Sequence, residues 1–487
     1  FTLFADAPGG LVKIVAKNHQ YLGVNNALAG VRAIRQNQGR LGVFWHTQGS
    51  GKSLSMVFFA QKVLRKIAGN WTFVVVTDRQ ELDDQIYRTF AAVGAVAERE
   101  VHAESGEQLR RLLGEDHRYV FTLIQKFRTE QPGAVFPTLS ARADIVVITD
   151  EAHRSQYDML AANMRAALPN AAFIGFTGTP LIAGEGERTR EVFGDYVSIY
   201  DFAQSVADGA TVPLYYESRL PELHITNEEL GDEIDRVIDD ANLTEEKEDA
   251  LARRFAKQYR LITNDDRLEK IAADLVRHFS GRGYRGKAML VAIDKATAIR
   301  MHDKVRRYWD EMLERETKRV AAIEDTVARA ALQEQLDWLA NTGMAVVVSP
   351  SQNEINLMAQ RGLDIRVHRE RMVKEDLAEK FKAADNPLRL VFVCAMWITG
   401  FDVPACSTVY IDKPMKNHAL MQTIARANRI APGKPAGLIV DYAGVFRNLK
   451  LALAIYAQPR PGVGTDPIEG KAELIEALRS ALRTAVM

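Results

Sequence analysis

The run His46-Thr47-Gln48-Gly49-Ser50-Gly51-Lys52-Ser53 follows directly on the apolar stretch Leu41-Gly42-Val43-Phe44-Trp45. This order predicts a strand that feeds a glycine-rich loop, ends in Lys-Ser and opens a helix over 54–67. In such a unit the loop N–H groups and the helix N-terminus point at the β- and γ-phosphates of a nucleoside triphosphate. Lys52 adds a positive charge and the Ser53 hydroxyl reaches Mg2+. One position departs from the G-x-x-x-x-G-K-[ST] pattern, since the first residue is His46 and not glycine.

The surroundings repeat the strand-then-helix order. Between Leu41 and about Thr211, short β-branched runs (73–77, 119–124, 145–149 and 172–176) alternate with helical stretches. Their apolar character is continuous, so the strands are expected to be buried on both faces of a parallel α/β sheet. A second alternation runs through 288–293, 345–348, 390–393, 408–411 and 437–441, and predicts a second parallel α/β domain. The expected boundaries are a first lobe over 1–214, a helical connector over 215–285, a second lobe over 286–445 and the start of a helical region over 446–487. A helical pattern also covers 19–34. Within 227–250, eleven acidic residues face two basic ones, which reads as a solvated helical surface that would not lie on DNA. Residues 303–340 form a charge-rich helical pattern with no catalytic signature.

At 487 residues the chain has room for two or three domains, each with its own core. Its formal net charge is zero, so any nucleic-acid site must be a local basic groove and not a global field. Cys394 and Cys406 are too few for a disulfide framework and sit beside apolar segments; buried free thiols and a reducing cytoplasm are expected. No apolar run approaches membrane-spanning length and no signal peptide is visible, so no membrane partner is expected. The first residue is Phe1, and the chain is expected to be a piece of a longer one.

A triphosphate loop needs a second element on a neighbouring strand, where an aspartate holds Mg2+. The string Ile145-Val146-Val147-Ile148-Thr149-Asp150-Glu151-Ala152-His153 supplies it. Asp150 is the candidate Mg2+ ligand, Glu151 the candidate base that polarises the attacking water, and His153 a candidate relay of nucleotide state. Phosphoryl transfer also needs positive charge on the developing γ-phosphate oxygens. Gln422-Thr423-Ile424-Ala425-Arg426-Ala427-Asn428-Arg429 reads as a helix with Gln422, Arg426 and Arg429 on one face.

Together with Phe176-Thr177-Gly178-Thr179-Pro180 and Thr399-Gly400-Phe401-Asp402-Val403-Pro404, these strings resemble the ordered motif set of superfamily-2 helicases and translocases with a DEAH box. Asp150–Tyr157, Thr122–Phe127 and Met396–Pro404 are similar to the motor (R) subunit of type I restriction endonucleases, as are Asn18-His19-Gln20-Tyr21 and Ser351-Gln352-Asn353-Glu354. The resemblance spans roughly 13–450. It implies two tandem RecA-like lobes with ATP between them and double-stranded DNA running across both. It also implies that the modification (methyltransferase) and specificity subunits are partners.

Residue by residue, the resemblance implies that Gln20 reads the adenine edge, that Gln48, Gly49, Ser50, Gly51, Lys52 and Ser53 hold phosphates and Mg2+, and that Gly400 and Asp402 approach the nucleotide. Arg426 and Arg429 would be a finger pair, with Gln422 a γ-phosphate or water contact. Thr177 and Thr179 would couple hydrolysis to movement, and Thr77, Asp78, Arg79, Gln125 and Lys126 would lie on the DNA side.

The implied activity is ATP-driven pumping of duplex DNA. Two other readings remain open: a strand-separating helicase, and a nucleotide-gated DNA-binding module that does not move. R subunits also carry a nuclease domain with an Asp…Glu-x-Lys cluster. Residues 1–40 hold a single acidic residue, Asp6, and no Glu-x-Lys, so the chain as a whole is expected to hydrolyse ATP without cutting DNA by itself.

Overall fold

The β-branched and aromatic runs predicted as strands between residues 41 and 176 all form strands, because a strand covered on both faces needs apolar side chains at successive positions. The structure, a computed structural model, describes residues 1–7, 10–78, 80–96, 101–129, 136–150, 157–179, 185–219, 256–446, 448–449 and 468–470. The described residues fall into two units that divide between Asp208 and Gly209.

The first unit opens with an antiparallel hairpin of β1 (Thr2–Ala7) and β2 (Gly10–Val15), followed by α1 (Asn18–Arg32). Then come β3 (Arg40–His46), α2 (Lys52–Lys66), β4 (Thr72–Thr77), α3 (Gln80–Ala92), β5 (His102–Ala103), α4 (Gly106–Gly114) and β6 (Tyr119–Leu123). β7 (Ile145–Asp150), α5 (Tyr157–Ala167), β8 (Ala172–Thr177), α6 (Glu185–Phe193), β9 (Tyr196–Tyr200) and α7 (Phe202–Ala207) complete it. Seven strands form one parallel sheet in the order β5-β6-β4-β7-β8-β3-β9. Successive residues of each strand point to opposite cores. Phe44, Phe73, Val75, Ile148 and Phe176 pack with side chains of α1, α2 and α3. Val43, Val74, Val76, Val147 and Phe173 pack with those of α4, α5 and α6. Each such side chain stabilises the fold by about 1.5–3 kcal/mol through apolar burial.

The second unit builds a second parallel sheet in the order β12-β13-β11-β14-β15-β10-β16. Its strands are β10 (Leu214–Ser218), β11 (Lys287–Ala292), β12 (Gly343–Val347), β13 (Leu388–Val393), β14 (Cys406–Asp412), β15 (Gly437–Asp441) and β16 (Ile468–Gly470). The helices Asp265–Gly281 and Lys295–Ala321 pack on β11 through Leu275, Phe279, Ile299 and Trp309.

Three differences from the sequence reading have physical causes. The expected first lobe ended at residue 214 and the next segment was read as helical, yet Leu214–Ser218 is a strand beside β15, in register Leu214↔Gly437. Only glycine fits at 437, since a Cβ there would stand 2.3 Å from the Ala427 carbonyl oxygen and 2.5 Å from Leu214. β9 escaped notice because it is a half-exposed edge strand without a continuous apolar run. The charge-rich pattern at 303–340 is two helices, Lys295–Ala321 and Thr326–Ala340; Asp325 caps the second by accepting from the amides of Val327 and Ala328 at 2.8 and 3.1 Å. The acidic stretch 227–250 and most of 446–487 lie outside the described residues.

Candidate functional site

β3 runs through His46, which pairs with Tyr200 of β9. The chain then turns over Thr47–Gly51 and enters α2 at Lys52. Gly49 and Gly51 have φ of +93° and +91°, a left-handed conformation that glycine adopts at little cost. The Ser50 hydroxyl closes the turn on the Thr47 carbonyl at 2.7 Å. α2 begins without a side-chain cap, the arrangement expected where an anion caps the helix instead.

The loop is braced from behind by α1. His19 donates from Nε2 to the Ser50 carbonyl at 3.0 Å and stacks on Tyr200, with ring centroids 3.7 Å apart and 12° between planes. Gln20 donates from Nε2 to the Gly51 carbonyl at 3.0 Å, while its Oε1 accepts from the Lys17 amide at 2.9 Å. A Cβ at Gly51 would stand 2.9 Å from the Gln20 amide nitrogen. Gln20 is thus a buried strut between helix and loop.

His46 explains its own departure from the glycine pattern. It is still a strand residue, so no left-handed backbone is required there, and its side chain fills the core between Phe44, His19 and Tyr200. Its Nε2 hydrogen bonds with the Ser198 hydroxyl at 2.7 Å, and its carbonyl accepts from Lys52 Nζ at 3.4 Å. Burial, aided by His19 and Lys52, holds the imidazole well below its ordinary pKa, hence neutral.

Asp150 ends β7 and is buried. Contrary to the expectation from sequence, β7 is not the neighbour of the loop strand, because β8 lies between β7 and β3. The turn that leaves β8 therefore reaches the loop. Thr177 Oγ1 donates to the Thr179 carbonyl at 2.8 Å and accepts from the Thr179 amide at 3.1 Å. A Cβ on Gly178 would stand 2.5 Å from Gln48 Cγ and 3.0 Å from Lys52 Nζ, so the turn lies directly against the loop lysine. The donor set fits nucleotide and Mg2+: glycine-built loop, uncapped helix start, lysine, and the hard oxygens of Ser53 and Asp150. Glu151, His153 and Arg79 lie outside the described residues.

At the ends of the adjacent strands β4 and β6, the expected DNA-side residues come together. Gln125 Nε2 donates to the Asp78 carbonyl at 2.6 Å. Thr77 is buried and its hydroxyl points to Asp83 at 3.5 Å, while Asp83 pairs with His102 Nδ1 at 2.8 Å. Gln125 is exposed and Lys126 half-buried on the 3-10 turn Ile124–Phe127. Asp83, His102, Ser198 and Tyr200 were missed by sequence reasoning, and none carries a local signal. His19 stands inside the quoted Asn-His-Gln-Tyr string, which gave no hint of its part in bracing the loop.

In the second unit the helix Asn417–Ile424 stops before the arginines, so Gln422, Arg426 and Arg429 do not share one helix face as expected. The main chain beyond it is held elsewhere: the Asn428 carbonyl accepts from the Val212 amide at 2.8 Å, and the Ala427 carbonyl lies against Gly437. Continuing the helix would turn both carbonyls away from these contacts.

The five expected residues of this unit still converge. Arg426 donates from Nε to the Gln422 carbonyl at 3.1 Å and from Nη1 to the Phe401 carbonyl, between Gly400 (φ +74°) and Asp402. Arg429 Nε donates to Asp402 Oδ1 at 2.6 Å. Burial pushes the Asp402 carboxyl up, but Arg429 and then Arg426 more than offset it, and the net pKa is lowered. Arg429 Nη1 is buried with no hydrogen-bond partner among the described residues. Lys434 Nζ bridges the Pro404 and Cys406 carbonyls at 3.1 and 2.6 Å, with burial drawing its pKa down to about 8. Cys394 and Cys406 are buried free thiols. No helix among the described residues is long and apolar enough to cross a membrane.

Comparison with known proteins agrees with this geometry. The profile of the SWI2/SNF2 ATPase family matches residues 19–249, and that of type I restriction enzyme subunit R domain 3 matches 284–444. The HindI endonuclease subunit of Haemophilus influenzae, a type I restriction enzyme, is 37% identical over 99% of this chain and 44% of its own length. The MjaIXP endonuclease subunit assigned to a type I restriction enzyme of Methanocaldococcus jannaschii is 37% identical over 93% of this chain and 41% of its own length. Among solved structures, a fragment assigned as an HsdR subunit of a type I restriction enzyme from Vibrio vulnificus superposes with a TM-score of 0.54 at 14% identity, covering 94% of this chain and 68% of that one. The ATP-dependent Type ISP restriction-modification enzyme LlaBIII, bound to DNA, gives 0.51 at 13%, covering 89% and 28%.

The two parallel α/β lobes and the SWI2/SNF2 match define a RecA-like, helicase-type ATPase fold. The chain belongs, more narrowly, to the family of type I restriction enzyme R subunits. It spans less than half the length of the curated relatives it matches.

Proposed function

We propose that this chain is the motor portion of a type I restriction enzyme R subunit, an ATP-hydrolysing translocase on double-stranded DNA. The observation that carries the reading is the approach of the Thr177–Thr179 turn to Lys52, which ties the phosphate loop to the next strand end. Through it, a change at the Lys52 ammonium on hydrolysis is felt at Thr177 and Thr179.

Lys52 and the amides of Gln48–Ser53 hold the triphosphate, with Gln20 at the adenine edge. Ser53 and Asp150 hold Mg2+, which supplies charge neutralisation on the phosphate oxygens. Glu151 orients and deprotonates the attacking water, and His153 relays nucleotide state. Arg426 and Arg429 answer the charge that develops on the γ-phosphoryl group, Gly400 and Asp402 position them, and Gln422 contacts phosphate or water. Thr77, Asp78, Arg79, Gln125 and Lys126 face the DNA backbone, where contacts position without reading sequence. In the full enzyme the partners are the modification and specificity subunits, in the cytoplasm of a prokaryote. The proposed division is a first lobe, a connector through residue 285 and a second lobe to about residue 445, with β10 assigned to the second.

The test is ATP turnover with and without long duplex DNA, followed by displacement of a third strand from a triplex. Duplex-stimulated turnover with displacement is expected. Unwinding of a forked duplex without triplex displacement makes the chain a strand-separating helicase. DNA binding gated by nucleotide with no turnover makes it a switch.

A further inference from the structure

Away from every motif discussed so far, His302, Asp303 and His368 present donor atoms that all lie within 4.8 Å of one another. Among the described residues this is the only such trio of His, Cys, Asp and Glu. His302 and Asp303 stand on the helix Lys295–Ala321, and His368 on the helix Arg366–Lys374. The two imidazoles meet edge to face with centroids 4.7 Å apart, and Phe392 of β13 abuts the His302 ring at 5.4 Å. Asp303 Oδ1 lies 2.9 Å from His302 Nδ1.

The trio is graded in exposure. His368 is buried, His302 half-buried and Asp303 exposed, so a cation reaches the imidazoles from the Asp303 side. The nearby guanidiniums are already neutralised. Arg366 is paired with Asp364 through two nitrogens, at 2.9 Å each, and Arg371 with Glu375 at 3.0 Å. Neither leaves an uncompensated positive charge facing the cluster.

Donor chemistry selects the cation. Two imidazoles and one carboxylate suit a borderline divalent ion such as Zn2+, whereas Mg2+ and Ca2+ prefer all-oxygen shells. A tetrahedral ion with metal–donor distances of about 2.0–2.2 Å sets its ligands roughly 3.4 Å apart. The exposed Asp303 carboxylate can swing in to close the set, leaving the fourth position to water. We propose that His302, Asp303 and His368 form a zinc-class site that pins the charge-rich helix Lys295–Ala321 to the helix Arg366–Lys374 of the same unit.

The experiment uses the whole chain, dialysed against chelator and titrated calorimetrically with ZnCl2 in the absence of nucleotide. Wild type is expected to bind one equivalent that Asp303→Asn and His302→Gln each weaken by about tenfold or more. Substituted Co2+ should give visible absorption bands that both variants lose. Zn2+ should raise the unfolding temperature of wild type and not of the variants, whose metal-free unfolding temperatures and circular dichroism match wild type. Asp303→Asn is solvent-exposed and isosteric, which keeps the test independent of folding. A wild type with no Zn2+-binding event that the Asp303→Asn/His302→Gln double variant lacks overturns the proposal.

Discussion

Restoring the missing glycine of the phosphate-loop pattern, His46→Gly, should damage the protein. His46 is fully buried beside Phe44, His19 and Tyr200, so removing its ring leaves a cavity. Aromatic-to-small changes in cores cost about 3–5 kcal/mol. The lost hydrogen bond to Ser198 adds roughly 1 kcal/mol, and glycine inside a strand another 0.5–1 kcal/mol. These contributions overlap, and a net loss on the order of 4 kcal/mol is expected. For a unit of this size that lowers Tm by about 8–16 °C. Nucleotide affinity well below Tm should change by less than about fivefold, because Lys52 contacts the residue-46 carbonyl, which any residue supplies. His46→Phe, which keeps the ring and loses only the Ser198 partner, should cost about 1 kcal/mol. The assays are thermal unfolding and equilibrium binding of a fluorescent ATP analogue. If His46→Gly unfolds at the wild-type temperature, or binds nucleotide more tightly, position 46 is a loop position after all and the strand-based account of its identity fails.

Three further outcomes follow from the same contacts. Gly51→Ala places a side chain at φ +91° and 2.9 Å from Gln20, and should weaken ATP binding at least about tenfold, with the loss seen in KM and in direct titration. Arg429→Ala should lower kcat by about 10³-fold while leaving nucleotide Kd within a few-fold, measured by steady-state ATPase and filter binding; equal loss in both would make Arg429 a binding residue only. His278 is half-buried against Tyr410, with desolvation first and then Arg219 drawing its pKa to about 4 against the pull of Glu217. Its folded pKa lies below the unfolded value, so it contributes stability that is full above about pH 6.5 and lost as pH falls toward 4, by at most about 3 kcal/mol. The wild-type Tm should therefore drop across that window, and His278→Gln should flatten the drop.

Legibility divided along the line between local and non-local physics. The ten buried strands that carry continuous apolar runs were readable, because two-sided burial writes itself into consecutive residues. β1, β2, β9 and β10 were not: the hairpin pair and the edge strand β9 keep exposed positions, and β10, though it lies between β15 and β16, mixes buried with half-exposed polar positions and lacks that signal. The phosphate loop was legible for a similar reason: its chemistry lies within eight consecutive residues, and each glycine answers a backbone need of its own. What sets the loop's position was invisible, because His19, Gln20, Ser198 and Tyr200 reach residues 46–51 from sequence separations of 31 to 154 residues.

In the second unit, side chains grouped by an expected helix face come together through a different local structure. Helical spacing suggested that Gln422, Arg426 and Arg429 belong together, and they do converge, but not through a shared helix face. The helix ends at Ile424, and beyond it the Asn428 carbonyl accepts from the Val212 amide just ahead of β10 while the Ala427 carbonyl packs against Gly437 of β15. The arginines are then aimed by the Gly400–Asp402 loop, with Arg426 on the Phe401 carbonyl and Arg429 on the Asp402 carboxylate. A helix would hold both guanidiniums by i,i+3 and i,i+4 neighbours alone. A turn held by a separate loop makes their direction depend on that loop. Asp402→Asn should therefore impair Arg429 function without touching Arg429 itself: the neutral amide keeps an oxygen for Nε but loses the charge that fixes the guanidinium. We expect kcat to fall by about tenfold with folding unchanged, and Arg429→Lys combined with Asp402→Asn to add little to Arg429→Lys alone. Additive losses in that double-mutant cycle would show that the two residues act separately.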